Sequence, residues 1–181
     1  MKTLSTAEIS AHRSTENEPA IYCGTYAKYN EGNLFGMWIA LNTFEDYEDF
    51  LDFCNRLHAD EESPELMFQD YENFPECWYN ECGIGEENFD KIIEYAELSE
   101  NEQEAYKTYL ENFGSEKTLD DFREAYMGEY RNPEDFAEEI FRECYEIPQH
   151  LEYYIDWRAV WRDMDTNGDF TEIGGYIFRP Y

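Results

Sequence analysis

Positive charge is what this chain has least of. Of 181 residues only 13 are Lys or Arg, against 43 Asp or Glu, a formal net charge of −30. Phosphate backbones demand a basic footprint, so direct binding of nucleic acid is excluded, and an anionic membrane surface is disfavoured by the same repulsion. No apolar run reaches the ~18 residues of a membrane span, and the polar stretch 1–19 lacks a signal peptide's apolar core. A cytoplasmic protein without a membrane partner is expected. Histidine is scarce: His12, His58 and His150 are the full set, and none pairs with Cys77 and Cys82 at a zinc-ligand spacing. The five cysteines (Cys23, Cys54, Cys77, Cys82, Cys144) are odd in number and scattered through apolar segments. They read as reduced, buried thiols. A Gly-rich phosphate loop, a GxSxG elbow and an HExxH pair are all missing. With 43 acids any pair can resemble a catalytic one, and none stands isolated from the crowd. The expectation is therefore no enzyme, no cofactor and no metal.

Aromatic residues are plentiful instead: 16 Tyr, 13 Phe and 4 Trp. High charge with little apolar content produces disorder, but this much aromatic surface buries itself wherever the spacing allows. The chain must fold beneath an anionic coat that repels itself, which points to a partner for the coat. The charge is not an acidic tail. Residues 1–60 net −6, residues 61–120 net −15 and residues 121–181 net −9.

The element pattern predicts an α+β fold: an elongated chain of three small modules behind a disordered leader (1–19). Residues 20–82 read as an antiparallel sheet with one helix. Ala20–Ala27 and Leu34–Leu41 are β-rich runs flanking an Asn-Glu-Gly turn, a hairpin signal, and Leu66–Tyr71 supplies a third strand. Thr43 with Asp46 reads as a helix cap, and Tyr47, Phe50, Leu51, Cys54 and Leu57 form one buried stripe. Residues 83–122 read as a central helical module. Its first stripe is Phe89, Ile92, Ile93 and Ala96, and Ser99 with Glu102 opens a helix burying Tyr106, Tyr109, Leu110 and Phe113 before Gly114 stops it. Thr118 with Asp121 opens a short segment. Residues 123–181 read as a mixed α/β module: Glu124–Tyr130 is ambiguous between helix end and strand, and Asn132-Pro133 starts a helix with Phe136, Ile140 and Phe141 inward. A further helix carries Leu151, Tyr154, Ile155 and Ala159, and Asp169–Tyr181 forms a hairpin around Gly174-Gly175.

Asp163-Met164-Asp165-Thr166-Asn167-Gly168-Asp169 matches the first half of an EF-hand loop. The twelfth position, which should supply a bidentate Glu, is Gly174. A helix stop and turn is the plainer reading, and an acidic calcium-binding protein using this loop is the alternative function. The other reading treats the acids as a surface. Duplex DNA carries one negative charge per roughly 1.7 Å of axis, so thirty net charges match on the order of 50 Å of duplex. Residues 45–104 hold 21 acids against Arg56 and Lys91, which favours a ridge over an even sprinkling.

Tyr22–Asn42, with Ala27-Lys28-Tyr29-Asn30-Glu31-Gly32 followed by Gly36-Met37-Trp38, resembles the start of the ArdA antirestriction family. Gln69-Asp70-Tyr71-Glu72, Tyr153-Tyr154-Ile155-Asp156, Arg162-Asp163-Met164-Asp165 and Gly168-Asp169-Phe170 fit the same pattern, so the resemblance covers roughly residues 20–181. It implies a protein of mobile elements that mimics B-form DNA. Such a protein occupies the DNA-binding groove of type I restriction-modification enzymes, chiefly the methyltransferase core. It also implies a homodimer formed through the C-terminal domain, and no catalytic residues. On that reading the carboxylates standing in for phosphates are Glu45, Glu48, Asp49, Asp52, Glu87, Asp90, Glu94, Glu97, Glu134, Glu138 and Glu139. Trp157, Trp161 and Tyr181 are the expected dimer contact.

Overall fold

A computed structural model describes residues 4–180. Among them are eight α-helices and two three-stranded antiparallel sheets, an α+β fold. The chain divides into two compact units, residues 1–103 and 104–181.

The first unit is built on β1 (Ala20–Thr25), β2 (Met37–Ala40) and β3 (Leu66–Glu72), in the order β2-β1-β3. Every β1 residue except Tyr22 is buried, as a central strand's should be. The β1–β2 pair aligns Ala20 with Ala40 and Cys23 with Met37, so the expected antiparallel pair forms. Its connection is not a simple turn. Thr25 accepts a hydrogen bond from the Lys28 amide and caps a short helix α2 (Tyr26–Asn30), which ends the first strand two residues early. Gly36 then brings the chain back so closely that a Cβ there would run into the Cys23 carbonyl oxygen.

Helix α3 (Tyr47–Leu57) lies in this unit with Phe50, Phe53 and Cys54 buried. Its cap is Asp46, which accepts from the Asp49 amide, and not Thr43, which sits in a 3-10 turn. Asp46 wins because its carboxylate reaches the third helical amide and also favours the positive end of the helix dipole. Phe50 stacks on Phe68 of β3 at 5.7 Å and on Phe89 of α4 (Glu86–Ala96) at 6.0 Å. Each such ring buries enough surface to contribute roughly 1.5–3 kcal/mol, so this aromatic spine joins sheet and helices. A fourth helix overturns the expected disordered leader: α1 (Thr6–His12) has a complete Ser5/Glu8 capping box.

Helix α5 (Glu100–Phe113) spans the boundary between the units and buries Ala105, Tyr106, Tyr109 and Leu110. In the second unit, Thr118 and Asp121 form a reciprocal capping box on α6 (Leu119–Ala125). The ambiguous stretch resolves there: the helix ends at Ala125 and β4 (Tyr126–Glu129) begins at once. Pro133 opens α7 (Pro133–Cys144), and α8 (Trp157–Asn167) precedes the hairpin β5 (Thr171–Ile173) and β6 (Tyr176–Phe178), giving sheet order β4-β6-β5. Phe136, Phe170 and Ile177 form the core beneath α7 and α8. The helix expected around Leu151 and Tyr154 starts later, at Trp157, because Asp156 supplies the cap by accepting from the Ala159 amide. Leu151 and Tyr154 are exposed.

The cysteines also depart from expectation. Cys23 and Cys54 are buried free thiols, whereas Cys77, Cys82 and Cys144 are exposed. The last three lie in a turn, a loop and a helix end, where no apolar face covers them.

Candidate functional site

Three helix faces carry the carboxylates singled out from the sequence. On α3 and just before it, Glu45, Glu48, Asp49 and Asp52 are all exposed. The aromatic spine takes the opposite side of the same helix, so periodicity alone separates core from charge. On α4, Glu87, Asp90, Glu94 and Glu97 are exposed while Phe89, Ile92 and Tyr95 are buried. These acids are spaced three or four residues apart, which puts neighbouring Cβ atoms about 5–6 Å from each other. On α7, Glu139 is exposed, but Glu134 and Glu138 are half-buried.

The charges are not equally free. Asp52 lies 3.5 Å from Arg56, Glu87 2.7 Å from Lys91 and Glu138 2.7 Å from Arg142. The Lys91 ammonium holds the Glu87 carboxyl below its ordinary range. Arg142 also reaches Glu152 at 3.0 Å, so this end of α7 is partly neutralised. Glu139 accepts from the Tyr130 hydroxyl at 3.1 Å. Sequence reading missed these three ion pairs although all are four residues apart, the spacing that brings helix neighbours together. No ion pair involves Glu45, Glu48, Asp49, Asp90, Glu94 or Glu97 among the described residues.

Glu94 and Glu97 are the least rewarded by the fold. They occupy the C-terminal end of α4, whose last turn holds no basic residue. The helix dipole already presents negative partial charge there, and an added acid costs about 0.3–1 kcal/mol where it would have gained that at the other end.

The first unit also buries a cation. Lys28 is 7% exposed, and its Nζ donates to Glu61 at 2.6 Å and Asp60 at 3.0 Å. His58 Nδ1 lies 3.2 Å away, and the Thr25 hydroxyl donates to the same Glu61 oxygen at 2.6 Å. Burial alone would lower the Lys28 ammonium, but its bonds to Glu61 and Asp60 outweigh that and leave it raised. The same balance leaves the Glu61 carboxyl lowered. Every member is satisfied, so the cluster clamps α2 to the end of α3 rather than offering a reactive group.

The chain matches the family model of the antirestriction protein ArdA over residues 21–178. It belongs to the ArdA family. Membership supports an antirestriction function, the inhibition of restriction-modification enzymes. No curated protein matches the chain in sequence.

Against this ArdA assignment the calcium alternative finds no loop. Asp163–Asn167 lie inside α8, and Gly168 is its left-handed cap at φ 78°. Asp163 and Asp165, two positions apart on a helix, point away from each other, and no group of three metal-ligating side chains occurs among the described residues. The expected dimer contact is only partly available. Trp161 packs edge-on against Phe136 at 6.2 Å and Trp157 against Phe141 at 6.0 Å. Both are half-buried, and Tyr181 lies outside the described residues. The exposed aromatics nearby are Tyr145, Tyr153 (92% exposed) and Tyr154 (84%). No helix of the described residues is long and apolar enough to cross a membrane.

Proposed function

We propose that this ArdA protein acts without catalysis, as a mimic of B-form DNA that occupies the DNA-binding groove of type I restriction-modification enzymes in the cytoplasm. By doing so it protects mobile-element DNA. The observation that carries the reading is the set of unpaired acids on α3 and α4, above all Glu94 and Glu97 at the wrong end of a helix dipole. A fold gains nothing from carboxylates placed there, whereas a basic groove does. Repulsion among these groups is relieved when Lys and Arg of the enzyme meet them, so the array both steers encounter and stabilises the complex.

The contribution of α7 is the smallest of the three faces, since Glu134 and Glu138 are half-buried and Arg142 offsets Glu138. The three-module division (20–82, 83–122, 123–181) is carried with the proposal, supported by the strand-free stretch of α4, α5 and α6 between β3 and β4, with its limit at 122 falling inside α6. Limited proteolysis cutting near 83 and beside α6, rather than near 103, would support it. The proposal includes a homodimer. Trp157 and the exposed Tyr145, Tyr153 and Tyr154 form its contact, because a chain that buries most of its rings leaves these three tyrosines more open than the exposed Tyr29 and Phe35.

The test is displacement of labelled duplex DNA from a type I methyltransferase core by the pure protein, repeated as salt rises. Displacement that weakens steeply with salt supports mimicry. No displacement, or displacement indifferent to salt, refutes it.

A further inference from the structure

Residues 5–19 precede the family-matched segment, yet they are laid firmly on the first unit. Helix α1 itself has no buried residue, so its attachment comes from four particular contacts. The Glu8 carboxylate is shared between two tasks. One oxygen accepts from the Ser5 amide and hydroxyl at 2.8 and 2.7 Å, and the other accepts from Arg56 of α3. His12 stacks on Phe44 at 4.1 Å between centroids and meets Phe53 edge-on at 4.8 Å. Its Nδ1 is 2.9 Å from the Thr43 hydroxyl oxygen. That hydroxyl is placed to donate to the Ala40 carbonyl at 2.7 Å, which assigns Nδ1 as the donor in this contact. Beyond the helix, Arg13 bridges to Ile39 and the Ser14 amide donates to the Trp38 carbonyl at 3.1 Å. The segment thus covers part of the free edge of β2.

Arg56 is where this strap meets the acidic face. Arg56 also pairs with Asp52 on its own helix, and those two groups by themselves are neutral. With Glu8 docked, Arg56 holds two carboxylates, and the group of three nets −1. The Asp52 contact is correspondingly the longer one, at 3.5 Å. Glu8, His12, Arg56, Glu45, Asp49 and Asp52 line one shallow hollow between α1 and α3.

We propose that Glu8, carried on an N-terminal strap of residues 5–15, extends the α3 acidic face as a positioning residue that offsets Arg56 and restores a negative charge beside Asp52. Arg13 leaves the strap as a whole formally neutral, so the gain is local to Arg56. The inference rests on the DNA-mimic reading and adds a part to the same surface, for the same basic partner. Loss of one mimicked phosphate lowers the salt slope of log affinity by up to about 0.9. Extrapolated between 1 M and 0.1 M salt this is at most about eight-fold in affinity, and less for a surface that condenses fewer counterions than duplex.

The experiment compares the full chain, Glu8→Gln and Arg56→Gln in displacement of duplex from a type I methyltransferase core between 0.05 and 0.3 M salt. Gln at position 8 keeps the capping box, so a weaker, less salt-dependent Glu8→Gln protein reports charge rather than helix loss. The expected result is about two- to eight-fold weaker displacement by Glu8→Gln, and stronger displacement by Arg56→Gln. Should Glu8→Gln fail to fold, by loss of amide protection in β1–β3, Arg56→Gln carries the test. A full chain that displaces duplex while Glu8→Gln and Arg56→Gln match it overturns the strap and leaves the mimic reading standing. Tighter displacement by Glu8→Gln also overturns it, since the Glu8 charge would then not serve the face. A full chain that displaces nothing refutes both.

Discussion

Replacing Lys28 by Met should unfold the first unit well before it perturbs the second. The Nζ sits between Glu61, 19% exposed at its side chain, and Asp60, 64% exposed. Asp60 is wet enough to rehydrate when the ammonium goes, so its loss is close to neutral. Glu61 is not: it keeps only the Thr25 hydroxyl as a donor, and a mostly buried carboxylate robbed of its cation costs about 3–5 kcal/mol. Met preserves most of the aliphatic stem and recovers part of this through apolar contact, including that with Phe35, over whose ring Nζ stands at 5.6 Å. The net expectation is about 3 kcal/mol of destabilisation. Native-state hydrogen exchange is the right assay because it reads β1, β2 and β3 separately from β4, β5 and β6. Protection should fall in the first sheet by a factor of about 150 and stay unchanged in the second. Adding Glu61→Gln to Lys28→Met should restore most of the loss, since the stranded charge is gone. A loss below about 1 kcal/mol, or an equal loss in both sheets, would refute the clamp.

Acid should release α1 in two steps. Burial against Phe44 and Phe53 holds His12 below its ordinary 6.5, with Glu8 opposing, so its contribution is complete above that value and declines as pH falls below it. The Ser5 cap bonds and Arg56 hold Glu8 down to about 2 from 4.5, so its contribution declines between those values. Proteolysis after Arg13 should accelerate accordingly, and a rate flat from pH 7 to 4 would contradict the docking. Neutralising Glu94 alone should change duplex displacement by less than about two-fold, whereas neutralising Glu87, Asp90, Glu94 and Glu97 together should weaken it more than ten-fold, because the field is summed over many charges. A single substitution that abolished displacement would point to a specific pocket instead. Tyr153→Asp with Tyr154→Asp should give monomers by analytical ultracentrifugation, and an unchanged dimer would move the contact elsewhere.

What was legible in the sequence was local. Ser99 with Glu102 and Thr118 with Asp121 are boxes whose ends lie three positions apart, and both form. The apolar stripes of α4 and α5 were visible for the same reason, and the hairpin of β5 and β6 turns at Gly174-Gly175 as expected. What escaped depends on contacts distant in the chain. Residues 6–12 have no apolar stripe, and their helix is held by Arg56, Phe44 and Thr43, more than thirty positions away. Lys28 looked like a turn residue because its partners Asp60 and Glu61 lie over thirty residues on. Helix α3 took its cap three residues late because two acceptors competed for one helix start. In the candidate surface, exposure followed from periodicity at nine of the eleven carboxylates. The half-burial of Glu134 and Glu138 did not, since it depends on how α7 packs. The ion pairs of Asp52, Glu87 and Glu138 were readable in principle from their four-residue spacing.

The most direct measurement is the equilibrium displacement of a labelled duplex from a type I methyltransferase core by the purified chain, followed through a salt series. The account predicts stoichiometric displacement at low salt, with log affinity falling linearly and steeply against log salt. Failure to displace duplex at any salt, with the enzyme still binding DNA normally, would contradict it.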